Sequence, residues 1–557
     1  MLKILLIGLV LFLAVFLRIV NISETPPVYL DEASIGYDAY SLSIRSKDQY
    51  GEPWPVFFRS YANFQSPIYI YLTAVSVKIL GLTPVSIRLV SILSGMVIIL
   101  STYFLIKILN PEFKFRFYTT LILTVSPWAV FFSRGAMEAN LGLAIFTTSL
   151  YLIFKGLFKK RGLWLILGII LLALTNFGYH AYRLISFGTL FLLILIFYRQ
   201  LSISLKKVTF LGIACFILIL IPQILLLNTP GSLERFKSLE YFSTDFFQAN
   251  GGELRSQFLG HYQFIILEFF GKYLDYLSLK SLFFDTDPTL VRGIPEMAVF
   301  YQWMCVPFIV GLYFLIRERV TKIRLFFILL GLISLIPAAL TRDNLYELRV
   351  LPFLWTVSIL ISQGLTKLSQ FKKFWPAIIG VVLIMSLIPL YTNYFHLLKY
   401  ERNIDHSGFI NDLFKYTKDR SDKKFIVSLS EPLSYGVALY IYQYDPREFE
   451  KSLNFNLENY YTDLTLKTEH NIKNLQIRQI NWEVDTFEEV YLAGDEQTIS
   501  RFKVEENGLE EIVIFRSPLD IRSVTIYKTN PKFKCLARLE KDKVFSSLNQ
   551  RCQIILK

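Results

Sequence analysis

Charge is scarce in this 557-residue chain: Asp, Glu, Lys and Arg make up 18% of it, where soluble domains average about 25%. A water-soluble protein of this size would be short of polar surface, and a mean hydropathy of +0.43 points to a bilayer instead. Histidine (5) and cysteine (4) are also rare. Cys215 and Cys305 fall inside apolar runs and read as packing residues. Cys535 and Cys552 lie close together near the C-terminus, without the Cys-x-x-Cys or His spacing of a zinc site. They form a disulfide if that end faces an oxidising space, or stay as two buried thiols; the sequence leaves both open. His180 has no second His or Cys at ligand spacing, so neither a metal nor a cofactor is expected. Aromatics, by contrast, are plentiful, and 49 Phe with 32 Tyr exclude a disordered chain. A net charge of +13 would elsewhere suggest nucleic acid. Here most of the excess sits in short loops between apolar runs, so it reports topology, and nucleic acid is not an expected partner.

A spanning helix needs about 20 mostly apolar residues. Such runs lie near 3–20, 84–106, 117–132, 139–157, 163–179, 182–198, 208–227, 298–316, 325–340, 348–366 and 376–392, about 11 spans. The first ends in Phe16, Leu17 and Arg18 with no small-x-small cleavage site, so it is expected to stay as a span rather than be removed as a signal peptide. With the N-terminus inside, the inner loops hold seventeen basic residues against two acidic ones, Glu112 and Glu318. That bias sets the orientation and puts everything after about residue 393 outside the cell membrane. The run at 67–80 is shorter and carries Lys78; counted as a span it would reverse every later loop, so it reads as an interfacial helix on the outer face. The expected architecture is a polytopic α-helical membrane domain over 1–392, with outer loops at about 21–83 and 228–297. A soluble, extracytoplasmic mixed α/β domain follows over 393–557. Its helices fall around 404–420 and its strands near 424–429, 488–493, 511–515 and 523–527.

Asp31 and Glu32 follow the first span by roughly ten residues. At helical spacing Asp31, Ser34 and Asp38 share a face, with Tyr37 and Tyr40 nearby. Carboxylates among apolar residues at a membrane surface are costly to desolvate. One held there can take a proton from an acceptor hydroxyl; on the pattern alone, acidic residues complementing a helix dipole are an equal reading. A second set stands at the outer ends of the spans: Arg134 and Glu138, His180 and Arg183, Arg342 and Arg349. Basic residues on the side opposite the positive-inside bias suit a bound phosphate, although any single one of them also fits snorkelling or pairing with a neighbour such as Asp343.

The order of these segments resembles the protein-mannosyltransferase and aminoarabinose-transferase group of membrane glycosyltransferases, which have the GT-C fold (glycosyltransferase family 39 and its relatives, bacterial branch). The resemblance rests on Asp31-Glu32-Ala33-Ser34-Ile35-Gly36-Tyr37, Asp48-Gln49-Tyr50-Gly51 and Ser66-Pro67-Ile68-Tyr69 in the first outer loop. Ser126-Pro127-Trp128, Ser133-Arg134, Glu138-Ala139-Asn140 and Tyr179-His180-Ala181-Tyr182-Arg183 continue it. It implies inverting, metal-independent transfer of a sugar from a polyprenyl-phosphate donor to an acceptor protein, lipid or envelope glycan on the outer face. Asp31 inherits the general-base role and Glu32 supports it. Where the group usually has a basic residue just before its Pro-Tyr helix this chain has Gln65, so the donor phosphate is expected to meet Arg59, Arg134, Arg183 or Arg349. Tyr37, Gln65, Glu138, His180 and Arg342 are then candidates for holding substrate. Two other classes stay in view: a flippase for polyprenyl-linked glycans, and a glycan-binding membrane protein whose business is the C-terminal domain. Against the first, the charges cluster at the outer rim and no repeated halves are visible.

Overall fold

The computed structural model describes residues 2–61, 63–226, 229, 261–286, 292–341, 346–371, 374–405, 408–430, 432–517, 523–542 and 550–556. Most of the expected outer loop at 228–297 therefore lies outside the described residues, as do Arg342, Asp343, Lys372 and Lys373.

Among the described residues, each apolar run picked out above is helical over most of its length. The chain opens with α1 (Leu2–Ile19), α2 (Leu30–Arg45), a two-stranded ribbon of β1 (Phe58–Ser60) and β2 (Asn63–Gln65), and α3 (Pro67–Leu80). Then come α4 (Pro84–Leu109), α5 (Phe113–Val125), α6 (Pro127–Phe132), α7 (Glu138–Lys159), α8 (Gly162–Leu174), α9 (Tyr182–Phe197) and α10 (Ile203–Leu225). After α11 (His261–Asp275) and α12 (Leu279–Phe283), the bundle closes with α13 (Cys305–Arg317), α14 (Lys322–Ile333), α15 (Leu351–Phe371) and α16 (Trp375–Tyr391). Among the described residues, six helices are long and apolar enough to cross a bilayer: Pro84–Leu109, Glu138–Lys159, Ile203–Leu225, Lys322–Ala339, Leu351–Phe371 and Trp375–Glu401. The protein is a multi-pass membrane protein. Other expected spans are shorter or interrupted helices, among them Gly162–Phe177, Tyr182–Phe197 and Gln302–Arg317.

Local chemistry explains the boundaries. Thr83 and Ser86 form a reciprocal capping box at the start of α4, with Pro84 at its first position. The expected span at 117–132 breaks at Pro127, which has no N–H to continue the ladder. The carbonyls freed there need donors in an apolar interior. The buried Arg18 supplies them, donating to Leu123 O (3.1 Å), Thr124 O (3.4 Å) and Ala129 O (3.5 Å). In α3 the side chains of Tyr69, Ile70 and Val77 are buried while Leu72, Val75 and Ile79 form an exposed apolar stripe.

Beyond residue 408 the chain builds a mixed sheet. Strands β3 (Phe425–Ser428), β4 (His470–Ile472), β5 (Leu475–Ile477), β6 (Tyr491–Asp495), β7 (Glu510–Arg516) and β8 (Ser523–Lys528) lie in the order β4-β5-β3-β6-β8-β7. The central β3 is parallel to β5 and β6; the remaining pairs are antiparallel. Helices α17 (Gly408–Lys418), α18 (Tyr435–Tyr442), α19 (Pro446–Leu453), α20 (Pro531–Asp542) and α21 (Gln550–Leu556) accompany it. Cys535 and Cys552 are joined in a disulfide between α20 and α21. One apolar core runs from the first loop into this unit, uniting Ile35, Tyr37 and Ile70 with Phe409, Leu439 and Val427. Polar ties follow the same seam: Asn411 Nδ2 donates to Val28 O (2.9 Å), Gln443 Nε2 to Leu82 O (3.2 Å), and Arg45 pairs with Glu450.

Candidate functional site

Helix α2 begins at Leu30, so Asp31 and Glu32 occupy its first turn, where carboxylates are favoured by the helix dipole. Neighbouring residues on a helix point about 100° apart, and here the two carboxylates part company. Asp31 is exposed and lines a cavity of about 430 Å³ together with Asn63, Gln65, Glu138, Tyr179 and Tyr346. Glu32 is fully buried and gripped from two sides. Arg88 of α4 donates to it twice, Nε to Oε1 at 2.9 Å and Nη2 to Oε2 at 2.6 Å, and Ala136 N donates to Oε1 at 2.8 Å. Arg88 also donates to Ile22 O at 2.8 Å. The pair thus ties the chain leaving α1, the first turn of α2, the start of α4 and the turn before α7 at one point.

The cavity's other carboxylate is placed by the start of α7: Glu138 Oε1 accepts from Ser66 N (2.9 Å), the N-cap of α3. Gln65 stands next to it, its amide oxygen buried without a hydrogen-bond partner among the described residues. Asp31 and Glu138 are the charged side chains among the described residues lining the cavity. Among the described residues none of the candidate cations lines it. The Arg349 guanidinium lies 3.9 Å from the centre of the Tyr346 ring and bonds Thr341 Oγ1 at 2.5 Å. Arg183 lies 5.1 Å from the Phe57 ring, and the His180 ring is 6.0 Å from that of Tyr179.

Of the expected site residues only Asp31, Gln65 and Glu138 line the cavity among the described residues, and Arg134, Arg59 and Tyr37 are engaged elsewhere. Arg134 is buried and donates to Leu17 O (2.8 Å), Val20 O (2.6 Å) and Thr25 O (3.3 Å), capping the end of α1. Arg59 turns to the C-terminal unit, donating to Thr465 O (2.7 Å) and lying 4.6 Å from the Phe455 ring. Tyr37 is buried, its hydroxyl on Tyr444 O (3.1 Å) and its ring against Phe449. All three join segments, although Arg59 Nε and Nη1 and Arg134 Nε make no hydrogen bond among the described residues.

Sequence reasoning missed Arg88, which stands near the start of an apolar span and looks there like one more snorkelling cation. It also missed Arg292, 3.7 Å from the other reach of the Tyr346 ring, and a buried carboxylate pair behind the site. Gln49 binds Asp38 through N to Oδ1 and Nε2 to Oδ2, both 3.1 Å. Asp48 Oδ1 accepts from Tyr50 N (2.9 Å) and Glu52 N (2.8 Å), while its Oδ2 accepts from Tyr460 OH (2.6 Å). Burial, then the nearby Asp48 charge, pushes Asp38 well above the ordinary carboxylate range. Burial lifts Asp48 to about 7 against the pull of its hydrogen bonds.

Set against solved structures, 94% of the chain matches 97% of ArnT from Cupriavidus metallidurans bound to undecaprenyl phosphate, with a TM-score of 0.51 at 11% sequence identity. The apo state of the same protein matches over the same share with a TM-score of 0.50. The chain has the GT-C fold. The oligosaccharyltransferase of Archaeoglobus fulgidus in its apo form matches with a TM-score of 0.46 at 12% identity, over 79% of this chain and 64% of that one. No family model matches the sequence, and no curated protein matches it. At these identities the likeness is one of fold: helical membrane bundle first, mixed-sheet unit last.

Proposed function

We propose that the chain is a membrane glycosyltransferase that moves a sugar from a polyprenyl-phosphate carrier to an acceptor hydroxyl on the extracytoplasmic face. The observation that carries this reading is the division of labour between the adjacent carboxylates: Glu32 is locked by Arg88, and Asp31 beside it is presented to a 430 Å³ cavity. A rigid neighbour is what a general base needs to hold its oxygen at an attacking hydroxyl. Asp31 takes the hydroxyl proton as the oxygen attacks the anomeric carbon, and the polyprenyl phosphate departs on the opposite face with inversion. Arg349 and Arg183 steady the negative charge that grows on the leaving phosphate. Glu138 and Gln65 hold sugar or acceptor hydroxyls, with His180 beside Tyr179. Arg59 and Arg134 serve the scaffold instead. The outward orientation of the C-terminal unit is supported by the basic inner loops and by the Cys535–Cys552 disulfide, a bond that persists in oxidising spaces.

The test is the purified protein in liposomes with radiolabelled polyprenyl-phosphate sugars and crude envelope acceptors, beside Asp31→Asn. Transfer by the wild type, lost in a variant that remains folded, is the expected result. Near-normal turnover by Asp31→Asn removes the residue from its role. Labelled carrier that crosses the bilayer with no glycosidic bond formed moves the protein to the flippase class.

A further inference from the structure

A second cavity, about 550 Å³, is walled by α13, α14 and α15 and is separate from the Asp31 cavity in every lining residue. Along α15 it runs from Phe353 to Lys367, about 21 Å at 1.5 Å per residue, or two-thirds of a hydrocarbon core about 30 Å thick. Its walls are apolar for most of that length, with Phe308, Leu312, Phe327, Leu332 and Val357 among them. Its charged groups gather at one end. There Glu318 bonds Lys367 Nζ (2.8 Å) and pairs with Arg324, and both cations line the cavity. Hydrogen bonds from these two hold the Glu318 carboxyl below its usual range. Glu112, at the same end, accepts from Gln370 Nε2 (2.9 Å). The lining charges balance, Arg324 and Lys367 against Glu112 and Glu318; Arg317 at the end of α13, Arg319 in the loop and Lys322 at the start of α14 flank this end and make its rim basic.

We propose that this groove binds one anionic glycerophospholipid from the leaflet facing the basic loops, its phosphate on Arg324 and Lys367 and an acyl chain along α15. The length, the apolar walls and the basic rim each match one part of that molecule. The polyprenyl carrier fits less well. Helix α15 starts at Leu351, three residues past the Leu348 that lines the Asp31 cavity, and Lys367 lies about 24 Å further along it. A carrier seated with its phosphate here would hold its sugar at the wrong end of the helix. The choice of phospholipid over carrier rests on the reading of the Asp31 cavity as the transfer site.

The experiment uses the full-length protein in nanodiscs with phosphatidylglycerol bearing a diazirine on one acyl chain, followed by peptide mapping. Adducts are expected on 323–332 and 353–367; adducts distributed over the lipid-facing helices without preference overturn the proposal. Native mass spectrometry then compares phosphatidylglycerol with phosphatidylcholine. The anionic lipid is expected to bind on the order of tenfold more tightly, and the paired substitutions Arg324→Gln and Lys367→Gln should erase that preference while leaving the protein folded. Equal affinity for the two lipids, or ready displacement of phosphatidylglycerol by equimolar undecaprenyl phosphate, refutes it.

Discussion

Replacing Arg88 by Met isolates the interaction on which the site geometry rests. Both side chains of the Glu32–Arg88 pair are fully buried, with a bidentate contact at 2.9 and 2.6 Å. Removing one partner leaves an uncompensated charge in an apolar interior, a loss of about 3–5 kcal/mol. After Arg88→Met, Glu32 keeps only the 2.8 Å bond from Ala136 N among its described contacts, and Ile22 O loses its donor, so the upper half of that range is expected. Glu32→Met strands Arg88 in the same way. The double substitution removes both charges and leaves two unpaired backbone groups, a cost of about 1–3 kcal/mol for each such group at most. The two changes should therefore be strongly non-additive, the double variant being more stable than either single one. Equilibrium unfolding in mixed detergent and SDS micelles, followed by tryptophan fluorescence, measures all four proteins. The double variant should still transfer sugar poorly, because Asp31 has lost its rigid neighbour, and a misplacement near 1 Å costs about 100-fold. Single variants each within about 1 kcal/mol of wild type, or a double variant whose loss equals the sum of the singles, would refute the reasoning.

Other measurements probe the C-terminal unit. His470 is buried against Tyr435, its ring 4.2 Å from the Tyr435 ring, and burial lowers its pKa to about 4. The unfolded chain protonates first, near pH 6.5, so stability should fall as pH drops from about 6.5 and level off below about 4, by roughly 3 kcal/mol in all; hydrogen exchange at β4 and β5 should show it, and His470→Phe should flatten it. Tyr460→Phe takes the 2.6 Å donor from Asp48 and the acceptor from Arg59 N (2.8 Å), costing about 1–3 kcal/mol for each stranded group. The same change should raise the pH at which Asp48 ionises above about 7, read as the protonated-carboxyl band in infrared difference spectra. Cys535→Ser with Cys552→Ser should cost about 2–4 kcal/mol, appear as faster exchange in α20 and α21, and abolish the gain in maleimide labelling that the wild type shows on reduction of this disulfide.

The bundle was legible because its signal is one-dimensional. A run of apolar residues of bilayer length is helical wherever it packs, since only a helix satisfies its own backbone in lipid. The same reasoning overstated the evenness of the spans: Pro127 splits one run, and others stop short of span length. In the C-terminal unit, β3, β7 and β8 fall on or beside their expected positions. The strand expected at 488–493 instead runs Tyr491–Asp495, and β4 and β5 were not foreseen at all. Strands of three residues are too short for alternation to declare itself.

The site divides along the same physical line. Asp31, Gln65 and Glu138 were legible because segments carrying them are ordered along the chain, and the cavity does gather them. What the sequence could not separate is an arginine that serves a ligand from one that serves a carbonyl. Arg18 and Arg134 stand at the end of a span and just past one, and both spend donors on backbone left open by a broken helix and a helix end. Only packing tells the two kinds apart. The same holds for carboxylates: Asp31 and Glu32 are adjacent, and which of them is presented to the cavity depends on Arg88, fifty-six residues away. The first loop is held from the other side by Tyr37, Arg45, Asp48 and Arg59, each engaged with the C-terminal unit at Tyr444, Glu450, Tyr460 and Thr465. Asp31 therefore sits on a helix clamped between the bundle and the sheet, and its aim depends on residues from both ends of the chain.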